Sequence, residues 1–301
     1  VTTPATHDDA ASVTERINGR FADLTSAERR VARTLLSDYP VAGLTSVHRF
    51  AERAGVSAAT IVRFVQTLGF AAYREFQDSL RDEVQAREDS ALSLALRRPD
   101  PAPADDGLEQ LRASQASYID GINRTFDSLR ASEVEQLVGW LADSRVGIVA
   151  HGGVFSGLLA HHLVTELSMF RPGVRTCPSN TMRQIDLLLE SANRADVWVI
   201  FDFRRYAPAT ERIARQAREH GARIALITDR WLSPIANFAD VVLSCRVEAS
   251  GPSDTLVPAM ALVSALCEAA VARLGSDGLD RLRRIDPMRA AIESTITKEP
   301  L

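Results

Sequence analysis

The chain has 301 residues, about two domains' worth, with 46% apolar and 25% charged residues and a formal net charge of −4. That composition is ordinary for a soluble globular protein and excludes a disordered chain, a collagen and a small disulfide scaffold. The total charge offers nothing to nucleic acid. The basic residues are unusual in kind, because Lys298 is the single lysine among 35 Lys and Arg residues. Codon bias accounts for most of this. Its functional counterpart is that nearly every basic contact uses a planar, permanently charged guanidinium. Cys177, Cys245 and Cys267 are widely spaced and lack a C-x-x-C pattern, which predicts buried thiols in a reducing compartment. Val1 to Arg16 has no basic segment followed by an apolar run, and the apolar stretches are strand-sized. The expectation is a cytoplasmic chain with no signal peptide, no membrane span and no membrane partner.

In chain order, residues 1–12 are small and polar and read as a loose tail. From Val13 to Ala95 the apolar periodicity is helical, with Thr25-Ser26-Ala27-Glu28 as a capping box ahead of the stripe Val31, Ala32, Leu35 and Leu36. Three prolines fall within Arg97–Gly107, so a linker is placed over 96–107. Leu108, Leu111, Tyr118, Ile122, Phe126 and Leu129 then mark a long amphipathic helix. Ser132-x-x-Glu135 reads as a second capping box. Beyond Arg145, short apolar strands at Val146–Ala150, Val174–Cys177, Val197–Phe201, Ile224–Thr228 and Val241–Ser244 alternate with helical stretches near 156–170, 181–193, 207–220 and 234–238. A long helix near 255–274 closes the unit. Continuous apolar strands separated by helices predict a parallel sheet covered on both faces, with ligands at the strands' carboxyl ends. The expected architecture is therefore α/β overall: an all-α helix-turn-helix domain over 13–95, and a five-stranded parallel α/β/α sandwich over 108–290.

Leu44 to Phe70 is the most specific segment. Val47, Phe50, Ala51 and Ala54 share one helical face. Gly55-Val56-Ser57 forms a tight turn with Ser57 as N-cap, and Ile61, Phe64, Val65 and Leu68 repeat the spacing. This is a helix-turn-helix. Its second helix turns Ala58, Ala59, Thr60, Arg63, Gln66 and Thr67 outward. Small residues permit close approach to base edges, Ser57 and Thr60 offer hydroxyls, and Arg63 matches phosphate or guanine. Arg74 follows on the next helix. The alternative is a packing unit with no DNA role. Arg49, Arg53, Arg63 and Arg74 against Glu52 and Glu75 give Thr45–Phe76 a local excess of two positive charges, so one copy binds weakly and two copies on a palindrome are needed.

Ser57-x-Ala59-Thr60-Ile61-x-Arg63-Phe64-x-x-x-Leu68-Gly69-Phe70 resembles the RpiR/MurR family of bacterial transcriptional regulators, as do Leu24–Ala32 upstream and Tyr73-Arg74-Glu75-Phe76 downstream. The resemblance implies double-stranded operator DNA as a partner, a C-terminal sugar-isomerase-like (SIS) domain sensing a small molecule such as a phosphosugar or sugar acid, no cofactor, and assembly as a homodimer or homotetramer. Arg223–Leu243 is similar to that domain. Thr228 within it either contacts ligand or shapes a turn. Where the family has G-x-G-x-S, this chain has Gly152-Gly153-Val154-Phe155-Ser156, so Gly152, Gly153 and Ser156 are candidate ligand-lining residues. His151 is a contact, a base or a hydrogen-bonded structural residue.

The family's S-x-S-G-x-T phosphate cradle is replaced here by Asp202-Phe203-Arg204-Arg205-Tyr206-Ala207. Either Arg204 or Arg205 binds an anion through its fork, or Asp202 and the arginines pair with one another or across an interface. Ser179, with Asn180 and Thr181, either donates to a sugar hydroxyl or caps a helix. His161-His162 lacks companion ligands at zinc spacing, so no metal is expected. The expected function is a DNA-binding regulator responsive to a small anionic sugar-like metabolite, and not an enzyme. The alternatives are a SIS-type isomerase and a metabolite-sensing interaction module that works without DNA.

Overall fold

The computed structural model describes residues 12–21, 23–88, 107–192, 196–249 and 253–296. The predicted linker over 96–107 lies outside them except for Gly107, as do residues 89–95 and the tail 1–11.

The N-terminal region holds α1 (Val13–Arg20), α2 (Ser26–Ser37), α3 (Val41–Leu44), α4 (Val47–Ala54), α5 (Ala58–Thr67) and α6 (Tyr73–Glu88). The predicted capping box opens α2. Thr25 Oγ1 accepts the Glu28 N–H at 3.3 Å, and the Glu28 carboxylate accepts the Thr25 N–H at 2.9 Å. The apolar faces of these helices converge on Leu35, Phe50, Ile61, Phe64, Phe76 and Leu80, all fully buried. Close packing sets one position here: a Cβ on Gly43 would stand 2.5 Å from the Leu80 side chain. The buried Glu83 carboxylate accepts the Val13 N–H at 2.7 Å and the Tyr39 hydroxyl, which ties α1 and the end of α2 to α6.

The C-terminal region comprises α7 (Gly107–Asp127), α8 (Ala131–Ala142), β1 (Ile148–Gly152), α9 (Gly157–Phe170), β2 (Val174–Thr176), α10 (Thr181–Ala192), β3 (Val197–Asp202), α11 (Pro208–Glu219), β4 (Arg223–Asp229), a 3-10 turn (Pro234–Asn237), β5 (Val241–Cys245), α12 (Val257–Leu274) and α13 (Ser276–Ile296). The five strands are all parallel, in the order β2-β1-β3-β4-β5. Chain order reverses between β1 and β3, which places a crevice at their carboxyl ends. Side chains alternate across the sheet with period two. Val197, Val199 and Phe201 enter the layer made with α8, α9 and α12, while Trp198 and Ile200 enter the layer made with α10 and α11. The helix α7 lies against α12, where a Cβ on Gly121 would stand 2.9 Å from Pro258. Thr125 Oγ1 accepts the Arg246 N–H at 2.9 Å, pinning α7 to the segment after β5.

Four expectations are corrected. The box Ser132-x-x-Glu135 does not form, because α8 starts at Ala131 with Arg130 as its N-cap and no side-chain capping bond, and Glu135 pairs with Arg273 at 2.6 Å. The first strand begins two residues late. The Gly147 N–H is taken at 3.0 Å by the Asp196 carboxylate, and a Cβ there would meet that carboxylate at 2.4 Å. The helix α13 has no counterpart in the sequence reading, because Pro287 stands inside it and Leu279, Met288 and Ile292 stay exposed, leaving no apolar stripe. Finally, not every apolar stretch is strand-sized: α12 is long and apolar enough over 18 residues to cross a membrane by composition. Here Ala259, Leu262, Val263, Leu266 and Ala270 on it are core residues packed on the sheet.

Candidate functional site

Two places present chemistry. The first is α5. Ser46 caps α4, and α4 ends where Gly55 turns left-handed at φ 63°, its N–H donating to the carbonyls of Ala51 and Glu52. Ser57 then caps α5, accepting the Thr60 N–H at 3.2 Å, and its hydroxyl lies 3.0 Å from that of Thr60. With Ile61, Phe64 and Val65 buried, Ala59, Val62, Arg63 and Gln66 are exposed, and Ala58 and Thr60 are half-exposed. Ala58, Ala59, Thr60, Arg63 and Gln66 thus lie on the outer face as expected, with Ser57 at the cap, and Thr67 departs from that expectation. Thr67 is drawn inward, donating to the Arg63 carbonyl and the Glu28 carboxylate, each at 3.0 Å. Arg74, 91% exposed, stands on the first turn of α6.

The carboxyl end of α5 is clasped from α1. Arg16 donates to the Leu68 carbonyl at 3.3 Å and lies 4.5 Å over the Phe70 ring, and Arg20 donates to the Thr67 carbonyl. Two cations at a helix carboxyl terminus complement its dipole. The sequence reading missed both arginines. Their signal was the pair at i and i+4 on α1, turned away from its apolar side.

The second place is the strand-end crevice. Ser156 is buried, donating to the Phe201 carbonyl at 2.8 Å and accepting the Gly153 N–H at 2.9 Å. It stitches the β1 loop to β3. A Cβ on Gly152 would stand 2.7 Å from the Ser156 backbone, so glycine is required there. One on Gly153 would meet only Ser156 Oγ, at 3.7 Å. Thr228 is fully buried and accepts the Ser233 N–H at 3.2 Å, which is the turn role of its two readings. Ser179 is exposed in the β2–α10 loop, where Asn180 caps α10 by accepting the Arg183 N–H at 3.2 Å. His151 is half-buried, and burial lowers its pKa.

The two arginines go different ways, and among the described residues neither forms the expected ion pair with Asp202, which takes the Ala207 N–H and the Ser233 hydroxyl instead. Arg204 is buried, paired with Asp254 at 3.2 Å, and its guanidinium lies 3.8 Å over the Trp231 ring. Its ion pair belongs to the protein. Arg205 is exposed and takes a left-handed φ of 75°, a conformation that disfavours a side chain. Asp229 holds this arrangement. Fully buried, it accepts the Tyr206 hydroxyl at 2.6 Å, the Trp231 N–H at 2.9 Å and the Arg204 N–H. Asp202 accepts the Ala207 N–H at 3.3 Å and the Ser233 hydroxyl. Burial pushes both carboxyls up to about 6, against the pull of these donors. Asp229, Trp231 and Asp254 escaped the sequence reading as site residues, because their spacing to Arg204 is purely tertiary. The thiols of Cys177 and Cys267 are pushed up by burial to about 11 and about 12, so they are inert.

Residues 11–87 match the family described as the helix-turn-helix domain, rpiR family, and residues 178–269 match the SIS domain. Residues 11–87 are thus similar to the rpiR-family helix-turn-helix domain. The SIS match begins after β2, leaving outside it the β1 loop where the glycine-serine pattern is half kept. An HTH-type transcriptional regulator of Haemophilus influenzae is 25% identical over 234 residues, 78% of this chain and 80% of that protein. The HTH-type regulator HexR of Pseudomonas aeruginosa is 24% identical, covering 90% of this chain and 93% of its own. The sugar isomerase domain of an RpiR transcription factor from Sphaerobacter thermophilus superposes with TM-score 0.54 and 23% identity, over 59% of this chain and 98% of that one. That likeness establishes the fold of the sheet region. The chain is a helix-turn-helix transcriptional regulator carrying a SIS domain.

Proposed function

We propose that this protein is an RpiR-family regulator that works in the cytoplasm as a homo-oligomer. Two α5 helices read a palindromic operator, and a small anionic sugar-like metabolite at the strand ends resets their spacing. The observation that carries this is the outer face of α5. A capped helix presents Ala59, Arg63 and Gln66 to solvent, with Ser57 and Thr60 hydroxyls at its amino end. Residues 13–95 would be the DNA-binding domain, 96–107 the linker and 108–290 the sensing and oligomerising domain.

For the sensor, Arg205 supports an anion. It is exposed, sits at the carboxyl end of β3, and is in no ion pair among the described residues. Arg204 keeps a supporting role through Trp231 and Asp254. Oligomerisation is supported by exposed apolar side chains at the same end of the sheet. Val154 and Phe155 in the β1 loop are 94% and 70% exposed, Leu158 on the first turn of α9 is 64% exposed, and Met182 on α10 is 65% exposed. A second copy covers this surface. The protein is a regulator and not an enzyme on this reading, which its HTH-type regulator relatives support; His151 is half-buried with its pKa lowered by burial, and no side-chain hydrogen bond orients it among the described residues.

Fluorescence anisotropy with DNA from upstream of the protein's own gene, repeated across salt and then with sugar acids and phosphosugars, tests the proposal. Expected are sequence-specific binding by the oligomer, loss of affinity with Arg63→Ala, and an effector response that Arg205→Ala abolishes. Binding that ignores sequence, or turnover of a phosphosugar, would overturn it.

A further inference from the structure

The helical region rests on the sheet region along a seam. Glu15 of α1 pairs with Arg246 after β5 at 2.8 Å, and the Ser12 hydroxyl donates to the Arg230 carbonyl at 3.4 Å. Beside these contacts lies a cavity of about 170 Å³ with walls from both regions. Val242 and Ser244 of the edge strand β5 line it, and β3 and β4 separate that strand from β1 in the sheet. We propose that this cavity is a second ligand site, for a neutral polyhydroxylated molecule the size of a six-membered ring.

Size comes first. A cavity of about 150 Å³ holds a benzene ring, so this one accommodates a ring of six atoms with substituents. Neutrality follows from the charged walls. Arg230 pairs with Glu248 at 2.7 Å, Arg130 with Glu133 at 3.1 Å, and Glu15 with Arg246 at 2.8 Å. Each charged side chain on the cavity already has an opposite partner, so an ionic ligand would have to break a pair, and a neutral one would not. The pairs still offer carboxylate acceptors and guanidinium donors to hydroxyl groups.

Hydroxyl chemistry comes from Thr14 and Ser244, which also line the cavity. Thr14 is 4% exposed, and its Oγ1 is buried with no hydrogen-bond partner among the described residues. A buried hydroxyl without a partner is costly, and a ligand hydroxyl in the cavity would satisfy it. Leu36, Leu232, Ala236 and Val242 supply the apolar remainder. Polar rim groups beside an apolar wall suit a ring with hydroxylated edges and a hydrocarbon face.

Occupancy is coupled to domain arrangement. Thr14, Glu15 and Leu36 come from the helical region and the other walls from the sheet region, so the site exists only while the two are docked. A ligand here stabilises the docked form by its binding free energy. None of the cavity walls comes from α5, so the docked form keeps its reading face open.

Calorimetric titration of the full chain with myo-inositol, glucose and gluconate tests the proposal. Expected is binding of a neutral ring that Thr14→Val weakens about tenfold, that Ser244→Ala also weakens, and that Arg205→Ala leaves unchanged. No heat from either neutral ring at about 10 mM would overturn it. So would binding indifferent to both Thr14→Val and Ser244→Ala, binding abolished by Arg205→Ala, or a gluconate site lost with Thr14→Val. Because Arg205→Ala reports on the strand-end crevice and Thr14→Val on the seam, failure of one reading is distinguishable from failure of the other.

Discussion

The outer face of α5 and the β3–α11 loop both carry arginines that the sequence singles out, and the fold treats them differently. On α5, apolar residues at helical spacing fix which side is buried, so the polar residues between them must face out, and Arg63 and Gln66 do. In the loop nothing periodic decides. Arg204 goes inward to Asp254 and Trp231, and Arg205, its neighbour, stays in solvent. Regular structure makes side-chain direction a local property. In an irregular loop, direction is set by buried partners far away in the chain, here Asp229 and Asp254.

The sharpest way to break the loop side of this comparison is Asp229→Ala. It would leave the Arg204 and Trp231 N–H groups and the Tyr206 hydroxyl without their buried acceptor. A loss of about 3–5 kcal/mol is expected, read as a fall in the denaturant midpoint with unchanged slope. A cost below ~1 kcal/mol would show that the loop is held by something else.

The pH dependence of stability comes next in size. Asp202 and Asp229 titrate near 3.8 when unfolded and at about 6 when folded. The folded chain therefore binds these protons more tightly than the unfolded one. Their contribution is fully present below pH ~4 and is lost as pH rises through ~6. On the order of 3 kcal/mol per group changes across that window. Asp202→Asn removes one titration, so its melting temperature should fall less than that of the parent between pH 4 and 7. An unchanged slope would place the raised pKa elsewhere.

On the α5 side, Arg63→Ala tests whether an outward arginine is also a reading arginine. A loss of about 1–3 kcal/mol in operator binding is expected, with thermal stability unaltered because the side chain is exposed. Loss on random DNA equal to that on the operator would make Arg63 a phosphate contact only.

The same contrast explains what was legible in advance. The box at Thr25, the turn at Gly55, the cap at Ser57 and the strands β2 to β5 each follow from a few adjacent residues. So does the doubly wound order once strands alternate with helices. The false box at Ser132 shows the limit of local patterns, since Arg130 takes the cap position and Glu135 answers to Arg273 from a distant helix. At the strand ends, Gly152 and Ser156 were legible as special but not as structural, and Thr228 was legible with its turn role as one of two readings. Their partners, the Ser156 backbone, the Phe201 carbonyl and the Ser233 N–H, become neighbours only in the folded chain.

The smallest expected effect on stability is the most discriminating. Arg205 holds φ at 75°, which costs a side chain about 1–2 kcal/mol. Glycine there would relieve that strain and lose about 0.4–1 kcal/mol through the freer unfolded chain. Arg205→Gly should therefore stabilise the protein by about 0.5 kcal/mol, while Arg205→Ala, which keeps the strain, should leave stability nearly unchanged. Both should abolish the anion response if the guanidinium is what the strained turn holds outward. A stabilised glycine variant that still responds would separate the strain from sensing. A loss of response in both would tie a residue kept against its own backbone preference to the ligand that it faces.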